Sequence, residues 1–467
     1  MSPGILIASC PLVIILATVS SAVGHDVTDS EVTQAIQPVR DGPSPGETGI
    51  HAPDPADSAV PQTTSSAIES AGETRGPTVT IGRDNIQEPF QKNFRWSELD
   101  QFPTDIASHR GIFIVSADGR KMLRLYGSLR TRANWTDRDI SSPWAMDYSL
   151  LPSGAESRAN QQYEFTARGS RFGFDVSVRD LLSIRMEFDF RGTNDELRRR
   201  QMYLRTQHWV IGKNWTSFNT ANYLLLSLDY HSTGAHAGVR TPQIKYLNGF
   251  DATGGTWKYS ISLEDNKPDI VAPEELEASG DNVIPNLAGH IAYGGDWGEV
   301  RVAGLVAPNR VRSTGGTRDD VGWGLQTGMR WKINDSNIIK AHVISVSGQN
   351  SLMADFAPGD FDMVYDPVND DFENLLLAGA SLGLEHYWTP GLSTSIGGSY
   401  VDFDLPDFLD DRFFDHGHKA LINLIWRPQE LWDGLTTGVE WVYASRTDKD
   451  AQSSQSNRII LACWYDF

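Results

Sequence analysis

The segment RFGFDVSVRDLLSIRMEFDFR, residues 171–191, decides the fold. Between Arg171 and Arg179, Phe and Val occupy every second position, and Ile, Met and Phe do the same between Ser183 and Arg191. The intervening positions carry mainly Arg, Asp, Glu and Ser. A period of two residues is that of a β-strand, whereas a helix repeats every 3.6 residues. The segment therefore predicts two strands, each with one apolar and one strongly polar face.

The same alternation recurs after residue 120, in segments of about 8 to 12 residues separated by Gly, Pro, Asn and Asp. Because bacterial membrane barrels contain an even number of strands, we predict a closed antiparallel transmembrane β-barrel of 16 strands. Seventeen segments show this alternation, so two neighbouring segments have to form one strand if the barrel has 16. The segments lie near 121–132, 161–168, 171–179, 183–191, 199–207, 208–216, 239–248, 256–264, 286–295, 298–306, 321–333, 336–347, 375–388, 391–403, 417–427, 434–446 and 456–467.

The polar faces of the early strands favour a membrane barrel over a soluble β-sandwich. They carry both Arg and carboxylate side chains, which are costly in a sandwich core but solvated in a water-filled lumen. Aromatic residues share the parity of the aliphatic ones, as expected for the girdles at the two membrane interfaces. The aromatic residues on these apolar faces include Phe188, Phe190, Trp441, Tyr443, Tyr465 and Phe467.

The last ten residues, RIILACWYDF, form a strand whose apolar face ends at Phe467. This pattern resembles the signal that the outer-membrane barrel-assembly machinery reads, and we assign that role to Tyr465 and Phe467. In lipid, each unpaired backbone N–H or C=O group costs several kcal/mol, so the first and last strands of a barrel must pair. We therefore expect the C-terminal strand to pair with the strand that begins near Lys121.

The N-terminal 119 residues have a different composition. The apolar run Ile5–Val23 predicts a signal peptide over residues 1–22, with cleavage after Ala22 or, as a second option, after Gly24. An uncleaved anchor is the alternative, which the shortness of the run disfavours. Residues 23–93 are rich in Pro, Ser and Asp and predict a disordered periplasmic extension, and residues 94–119 a lead-in to the barrel at 120–467.

Bulk composition excludes several classes of protein. A mean hydropathy of −0.35 is too low for a bundle of membrane helices. A net charge of −20 gives no electrostatic reason to bind nucleic acid. Because Cys10 lies in the predicted signal peptide, Cys463 is left alone, which excludes an intramolecular disulfide and a cysteine zinc site. We predict no cofactor.

Six segments resemble the DcaP-like outer-membrane porins, in patches from about Gly119 to Phe467. The resemblance implies a 16-stranded homotrimeric porin of the bacterial outer membrane, in contact with lipid and lipopolysaccharide, that admits small anionic solutes such as dicarboxylates. Its members commonly carry an N-terminal coiled coil, which the Pro-rich extension cannot form. The segments are SRFGFDV (170–176), GKNWTSF (212–218), RTPQIKY (240–246), HYWTP (386–390), NLIWRP (423–428), and GVE (438–440) with Arg446.

Selectivity would lie at a constriction formed by a long loop inside the barrel. We predict that residues 218–238 are this loop, with Asp229, His231 and His236 in it. Fixed guanidinium groups opposite it would favour anions. In the alternative interpretation, the arginines only neutralise carboxylates across the wall, and a register slip of one residue would reverse each face. The predicted pore-lining residues are Arg124, Arg130, Arg132, Arg171, Arg185, Arg191, Arg199 and Arg205.

Two other classes of function remain as alternatives. A barrel hydrolase would use Ser232 with His231 and Asp229, but no G-x-S-x-G pattern is present, so we predict that the chain is not an enzyme. A secreted soluble β-sandwich would make Asn134 and Asn214 glycosylation sites. The run His416-Gly417-His418 beside Asp411 and Asp415 could hold a cation, but a solvated loop is the simpler interpretation, and we predict no metal.

Overall fold

The computed structural model describes residues 78–81, 110–138, 142, 144–154, 159–179, 181–192, 196–281, 283–357, 359, 361–428 and 432–467. The predicted signal peptide, most of the extension and most of the lead-in lie outside these residues. Within the described part of the chain, none of the helical segments has the length and apolar character required to cross a bilayer.

The described residues are almost entirely β-strands joined by turns. In chain order the strands are β1 (Thr78–Ile81), β2 (Ile112–Val115), β3 (Lys121–Arg138), β4 (Ala159–Thr166), β5 (Arg171–Val178), β6 (Leu182–Asp189), β7 (Arg198–Arg205), β8 (Trp209–Trp215), β9 (Arg240–Ala252), β10 (Gly255–Glu264), β11 (Ile270–Val271), β12 (Ser279–Asp281), β13 (Asn286–Gly295), β14 (Gly298–Ser313), β15 (Gly316–Asn334), β16 (Asn337–Ser347), β17 (Met363–Asp366), β18 (Asp371–Asn374), β19 (Leu376–Thr389), β20 (Leu392–Asp404), β21 (Phe414–Trp426), β22 (Leu435–Asp448) and β23 (Ser453–Asp466). Single 3-10 turns lie at Tyr148–Leu150, Ala221–Tyr223, Glu274–Leu276 and Asn350–Leu352.

Sixteen strand positions close into an antiparallel barrel, which confirms the predicted fold. Strands β4 and β5 both pair with β3 and lie end to end, so together they fill one position. The predicted segments 161–168 and 171–179 are therefore parts of one interrupted strand. Strand β23 pairs with β3, from Arg458 opposite Thr136 to Asp466 opposite Ser128, and closes the barrel as expected.

The structure describes four residues of the predicted extension. Residues Thr78–Ile81 form β1, which pairs antiparallel with β2 (Ile112–Val115). The sequence TVTI consists of β-branched residues, which favour strands, and β2 offers a free edge to pair with.

The barrel has short turns at one end and long loops at the other. The four shortest connections at one end are the residue pairs 253–254, 296–297, 335–336 and 390–391. At the other end, long connections join β3 to β4, β8 to β9, β10 to β13 and β16 to β19. Three of them contribute buried segments, which we name inner loop 1 (144–154), inner loop 2 (216–239) and inner loop 3 (348–357).

The wall is apolar outside and polar inside. On β3, Leu129 and Trp135 are 53% and 43% exposed on the outer face, whereas Arg130 and Arg132 are buried inside. On β23 the outer face carries Ile459, Leu461 and Tyr465, and all three are exposed. Such alternation is stable when hydrocarbon covers the outside and water fills the lumen. A ring of exposed aromatic residues marks the end with short turns: Trp209, Phe250, Trp297, Trp331, Trp388, Trp426 and Tyr465.

The seam between the first and last strands extends to the final residue. The backbone N–H of Phe467 donates to the Gly127 carbonyl oxygen (2.9 Å), and the Gly127 N–H donates to the Phe467 carbonyl oxygen (3.0 Å). The ring of Phe467 lies over Gly127, so closely that a Cβ atom there would be 2.5 Å from its Cζ atom. Beyond this point β2 continues along β3, with Ile112 opposite Leu125. The seam is therefore paired through the terminal residue.

We predict that Gly127→Val weakens closure. Its side chain would displace the Phe467 ring, and overpacking of this kind costs about 1–3 kcal/mol. The temperature at which the heat-modifiable folded band is lost on a detergent gel should fall. Gly304→Val is the matched control, because Gly304 also lies in a strand, but the nearest atom to its added Cβ is 3.9 Å away. Equal loss temperatures for the two variants would contradict the role of the Phe467–Gly127 contact.

Candidate functional site

Inner loop 2, which contains residues 218–238, folds into the barrel. It follows Trp215 at the end of β8 and leads into Arg240 at the start of β9. Its large side chains are all buried, with Phe218, Tyr223 and Tyr230 at most 2% exposed. Their partners are inward-facing side chains of the strand wall, so the loop lies within the lumen.

Hydrogen bonds to wall carboxylates hold the backbone of inner loop 2. Three inward-facing glutamates from separate strands accept bonds from consecutive parts of the loop, and such charge-assisted bonds are stronger than neutral ones. Each carboxylate is thereby directed at the loop. The bonds are from the Ser217 N–H to Glu264 (2.8 Å), from the Leu226 N–H to Glu385 (2.6 Å), and from the Leu228 and Asp229 N–H groups to Glu440 (2.8 and 2.7 Å).

Glycines in the wall make room for the apolar side chains of the loop. A Cβ atom at Gly328 would be 2.3 Å from the Tyr223 ring, and one at Gly383 would be 2.3 Å from a methyl carbon of Leu225. Each of these side chains therefore lies directly against the backbone of a wall strand. The packing leaves no space for the loop to approach the wall more closely, so its distance from the opposite wall is set by these contacts.

Inner loops 1 and 3 support inner loop 2 from the loop end of the barrel, an arrangement that the sequence analysis missed. The Met146 N–H donates to Asp229 Oδ2 (2.9 Å), and the Ala235 N–H donates to Asp355 Oδ2 (3.0 Å). Ala237 and Met353 form an isolated β-bridge. These long connections contain apolar residues, for example in inner loop 3. Because apolar residues favour burial, they could have indicated that the loops fold into the barrel.

The predicted arginines lie on one side of the lumen, on β3 to β7 and the residues that follow β6. Each is buried or half-buried, with the exception of Arg199. The residues placed on the inner face are Arg124, Arg130, Arg132, Arg171, Arg185, Arg191 and Arg205.

Arg199 lies on the outer face, contrary to its predicted place in the lumen. Gln201 is opposite Glu187 and Arg199 is opposite Phe188, so Arg200 is the extra residue of a β-bulge. An extra residue reverses the facing of the residues before it. Arg200 therefore points inward, is 1% exposed, and donates from Nε to Glu187 (2.6 Å). The run of three arginines at 198–200 gave no indication of which one faces the lumen.

Some of the inward arginines form ion pairs across the wall, as the neutralisation alternative states. Asp175 lies between Arg124 Nη1 (3.0 Å) and Arg185 Nε (2.8 Å). Asp189 accepts from Arg198 Nη2 at 2.7 Å. Asp175 and Asp189 thus neutralise part of the positive charge of the inward-facing arginines.

A second group of arginines surrounds the phenol of Tyr230 in inner loop 2. The Cζ atoms of Arg132 and Arg191 lie 4.6 and 5.1 Å from the centroid of its ring. Burial by itself would raise the pKa of Tyr230, but the positive charges of Arg130, Arg132, Arg171 and Arg191 lower it below its ordinary value. The phenol thus reports a positive potential where the loop faces the arginines. No pattern in the sequence distinguishes Tyr230 from the other aromatic residues of the loop.

Asp229, His231 and His236 contact other groups inside the barrel. Asp229 Oδ1 lies 3.2 Å from Lys419 Nζ, and His231 Nδ1 lies 2.6 Å from Asp147 Oδ1. His236 is fully buried. Burial lowers the pKa of its imidazole well below the usual value, and the nearby charges of His231 and Lys419 act in the same direction.

The groups invoked by the alternative functions are arranged differently from what those functions need. Asn134 and Asn214, the potential glycosylation sites, are both buried inside the barrel. Ser232 Oγ donates to the Leu225 carbonyl oxygen (3.1 Å), and His231 Nδ1 lies 2.6 Å from Asp147 Oδ1.

The His416 group differs from the cluster proposed from the sequence. His416 Nδ1 pairs with Asp415 at 2.8 Å, and Asp402 lies close to both on the neighbouring strand β20. Asp411 is not part of the group. The group is partly exposed at the ends of β20 and β21 nearest the long loops.

Several solved structures are similar to this chain. The crystal structure of the outer membrane channel DcaP of Acinetobacter baumannii is 22% identical, with a TM-score of 0.65, and the match covers 74% of this chain and 98% of that chain. The anion-selective porin from Comamonas acidovorans is 10% identical, with a TM-score of 0.48 and coverage of 74% and 100%. OmpF of Salmonella typhi in complex with daunomycin is 14% identical, with a TM-score of 0.47 and coverage of 76% and 99%.

A search of curated proteins finds no match. The family model described as DcaP outer membrane protein matches residues 82–467, which include the whole barrel. The likeness to the Acinetobacter channel shows a shared fold. The chain therefore belongs to the DcaP outer membrane protein family and is a porin-type barrel of the bacterial outer membrane.

Proposed function

We propose that the chain forms a water-filled channel for passive diffusion of small solutes and that its constriction favours anions such as dicarboxylates. The observation that carries this proposal is the group of arginines around Tyr230, whose positive potential lowers the pKa of the phenol. Guanidinium groups stay charged at neutral pH and form forked hydrogen bonds with carboxylates. A positively charged constriction attracts anions and repels cations.

The placement of the acidic residues supports the same proposal. The carboxylates of Glu264, Glu385 and Glu440 accept hydrogen bonds from backbone N–H groups of inner loop 2, so these negative charges lie between the loop and the wall. Asp175 is engaged by Arg124 and Arg185. The chain is strongly acidic overall, and yet the group of side chains that faces Tyr230 is basic.

Assembly is a further part of the proposal. We propose that the chain is exported by the signal peptide at residues 1–22, inserted by the barrel-assembly machinery and associated as a homotrimer among lipid and lipopolysaccharide. Tyr465 and Phe467, the proposed assembly signal, lie on the outer face and are 45% and 55% exposed. They are therefore positioned where another protein could contact them before the seam is covered by lipid.

Selectivity can be tested in planar bilayers. The reconstituted protein should give stepwise conductance, with reversal potentials in a salt gradient that indicate anion preference. The variants Arg130→Gln and Arg171→Gln each remove one positive charge near the proposed constriction. Each should reduce the anion-to-cation permeability ratio by roughly threefold, which is the effect expected of a partly screened charge about 8 Å from the permeating ion.

Arg199→Gln is the matched control for this experiment, because it removes the same charge from the outer face. It should leave the permeability ratio unchanged. Cation preference of the unmodified protein would contradict the arginine hypothesis and leave the barrel intact. A complete lack of conductance would contradict the channel and favour a plugged or enzymatic barrel.

The position of inner loop 2 can be tested through Gly328. Valine at this position would clash with the Tyr223 ring and push the loop away from the wall, towards the open part of the lumen. Single-channel conductance should therefore fall. Gly304→Val, whose side chain meets open space, should conduct like the unmodified protein. Unchanged conductance of Gly328→Val would show that this contact does not set the width of the channel.

The positive potential can be measured at Tyr230 itself. The difference in ultraviolet absorbance titration between the unmodified protein and Tyr230→Phe should isolate one phenol that ionises below the ordinary value of about 10. Because nearby cations stabilise the phenolate, Arg171→Gln should raise the pKa of Tyr230 towards that value. A phenol that titrates at or above its ordinary value in the unmodified protein would contradict a positive potential at the loop.

A further inference from the structure

The three inner loops meet at a cluster of titratable side chains that the channel does not use. We name it the loop junction and define it as Asp147 of inner loop 1, His231 and His236 of inner loop 2, and Asp355 of inner loop 3. All four side chains are at most 3% exposed. His231 Nδ1 lies 2.6 Å from Asp147 Oδ1, and His236 Nδ1 lies 4.0 Å from Asp355 Oδ2. Potential ligand atoms of Asp147, His231 and Asp355 all lie within 4.8 Å of one another.

The ring of His236 indicates that the loop junction can bind a ligand in addition to its own side chains. It is fully buried, and its one polar contact is a weak backbone hydrogen bond with Gly234, while neither ring nitrogen has a partner of normal hydrogen-bond geometry among the described residues. A buried polar atom without a well-aligned partner is destabilising, so a ligand for the ring nitrogen would be favourable. Its Nδ1 faces the Asp355 carboxylate at a distance too long for a hydrogen bond but suitable for two ligands of one ion.

The balance of charges at the loop junction also favours a bound cation. Lys419 lies 3.2 Å from Asp229 and 3.9 Å from Asp355, and the guanidinium groups of Arg132 and Arg458 add positive charge on the Asp229 side, so Asp355 depends on an ammonium group that it shares. Asp147 adds a third carboxylate, which is paired with His231. Buried carboxylates need compensating cations or protons, and a divalent ion would supply two positive charges at this point.

We propose that the loop junction binds a divalent transition-metal ion such as Zn²⁺, with Asp147, His231, His236 and Asp355 as ligands. Two imidazoles and two carboxylates suit zinc and cobalt. Ligand bonds of about 2.0–2.2 Å in a tetrahedral site separate neighbouring ligand atoms by about 3.3–3.6 Å. On binding, the His236 ring has to move towards Asp147 and His231, because only Asp147, His231 and Asp355 have ligand atoms within 4.8 Å of one another among the described residues. The bonded pair His231–Asp147 opens as the ion replaces their shared proton, which is released to solvent.

A metal ion bound at the loop junction would cross-link three segments that are remote in sequence. The ion would join inner loops 1 and 3 to both ends of the turn at residues 231–236 of inner loop 2. That turn contains Ser232, Gly234 and Ala235 at positive φ angles of 51°, 78° and 57°, and it brings the two histidine rings to a centroid distance of 5.9 Å. The inference rests on the fold alone and does not depend on anion preference.

Metal binding should be measured on the folded full chain in detergent after chelator treatment and dialysis. Added Co²⁺ should produce the visible absorption of a four-coordinate site and saturate at one ion per chain. After Zn²⁺ addition and buffer exchange, mass spectrometry should find one zinc per chain. Zn²⁺ should also raise the temperature at which the heat-modifiable folded band is lost, since ligands that bind only the native state stabilise it.

His236→Gln is the main test variant, because the glutamine amide is polar and can replace the weak backbone hydrogen bond of the imidazole with Gly234. It should lower the affinity for Co²⁺ at least roughly tenfold, the loss seen even for groups outside the ligand set. Asp355→Asn is a second variant that keeps an acceptor for the Ala235 N–H. Each variant is first checked for the folded gel band.

His416→Gln is the control, since it removes a histidine from the partly exposed group with Asp402 and Asp415 and should leave binding unchanged. The proposal is overturned if the unmodified protein retains no metal, if His236→Gln binds like the unmodified protein, or if His416→Gln abolishes binding. Bilayer measurements in the presence of chelator separate this result from the proposed function, because anion preference there would persist without the ion.

Discussion

Backbone hydrogen bonding in hydrocarbon is the constraint on which the rest of this structure depends. No water is available to an unpaired N–H or C=O group at that depth, so every strand must have two neighbours and the sheet must close. The bonds between Gly127 and Phe467 extend this closure to the final residue. Closure in turn defines an inside, and the two-residue period of each strand then sends apolar side chains to lipid and charged ones to water.

Once an inside exists, its contents are determined by complementarity between wall and loop. Inner loop 2 occupies the lumen because glutamates on facing strands accept its amide hydrogens and because wall glycines leave room for Tyr223 and Leu225. The same contacts engage wall carboxylates beneath the loop. Arginines from β3 and β5 are then positioned opposite Tyr230. The packing of inner loop 2 and the electrostatics around Tyr230 are thus two results of one arrangement.

Much of the candidate site could be predicted from parity alone. Arg124, Arg130 and Arg132 lie inside, as the alternation on one strand requires, and residues 218–238 do form a loop within the barrel. Parity failed at Arg199, because one extra residue at Arg200 reverses the facing of the chain before it. The histidines of the loop could not be paired with Asp147 or Asp355 from sequence, since those partners come from other loops.

By itself, the sequence determined the class of fold, the closing pair of strands, the faces of most residues and the family. These properties depend on period, on strand number and on local patterns, which are all written along the chain. Only the tertiary structure decided that three loops meet within the barrel, that Tyr230 lies among arginines, and that Asp147, His231, His236 and Asp355 form one cluster. Contacts of this kind depend on how loops from distant strands share a closed volume, and no local period encodes that.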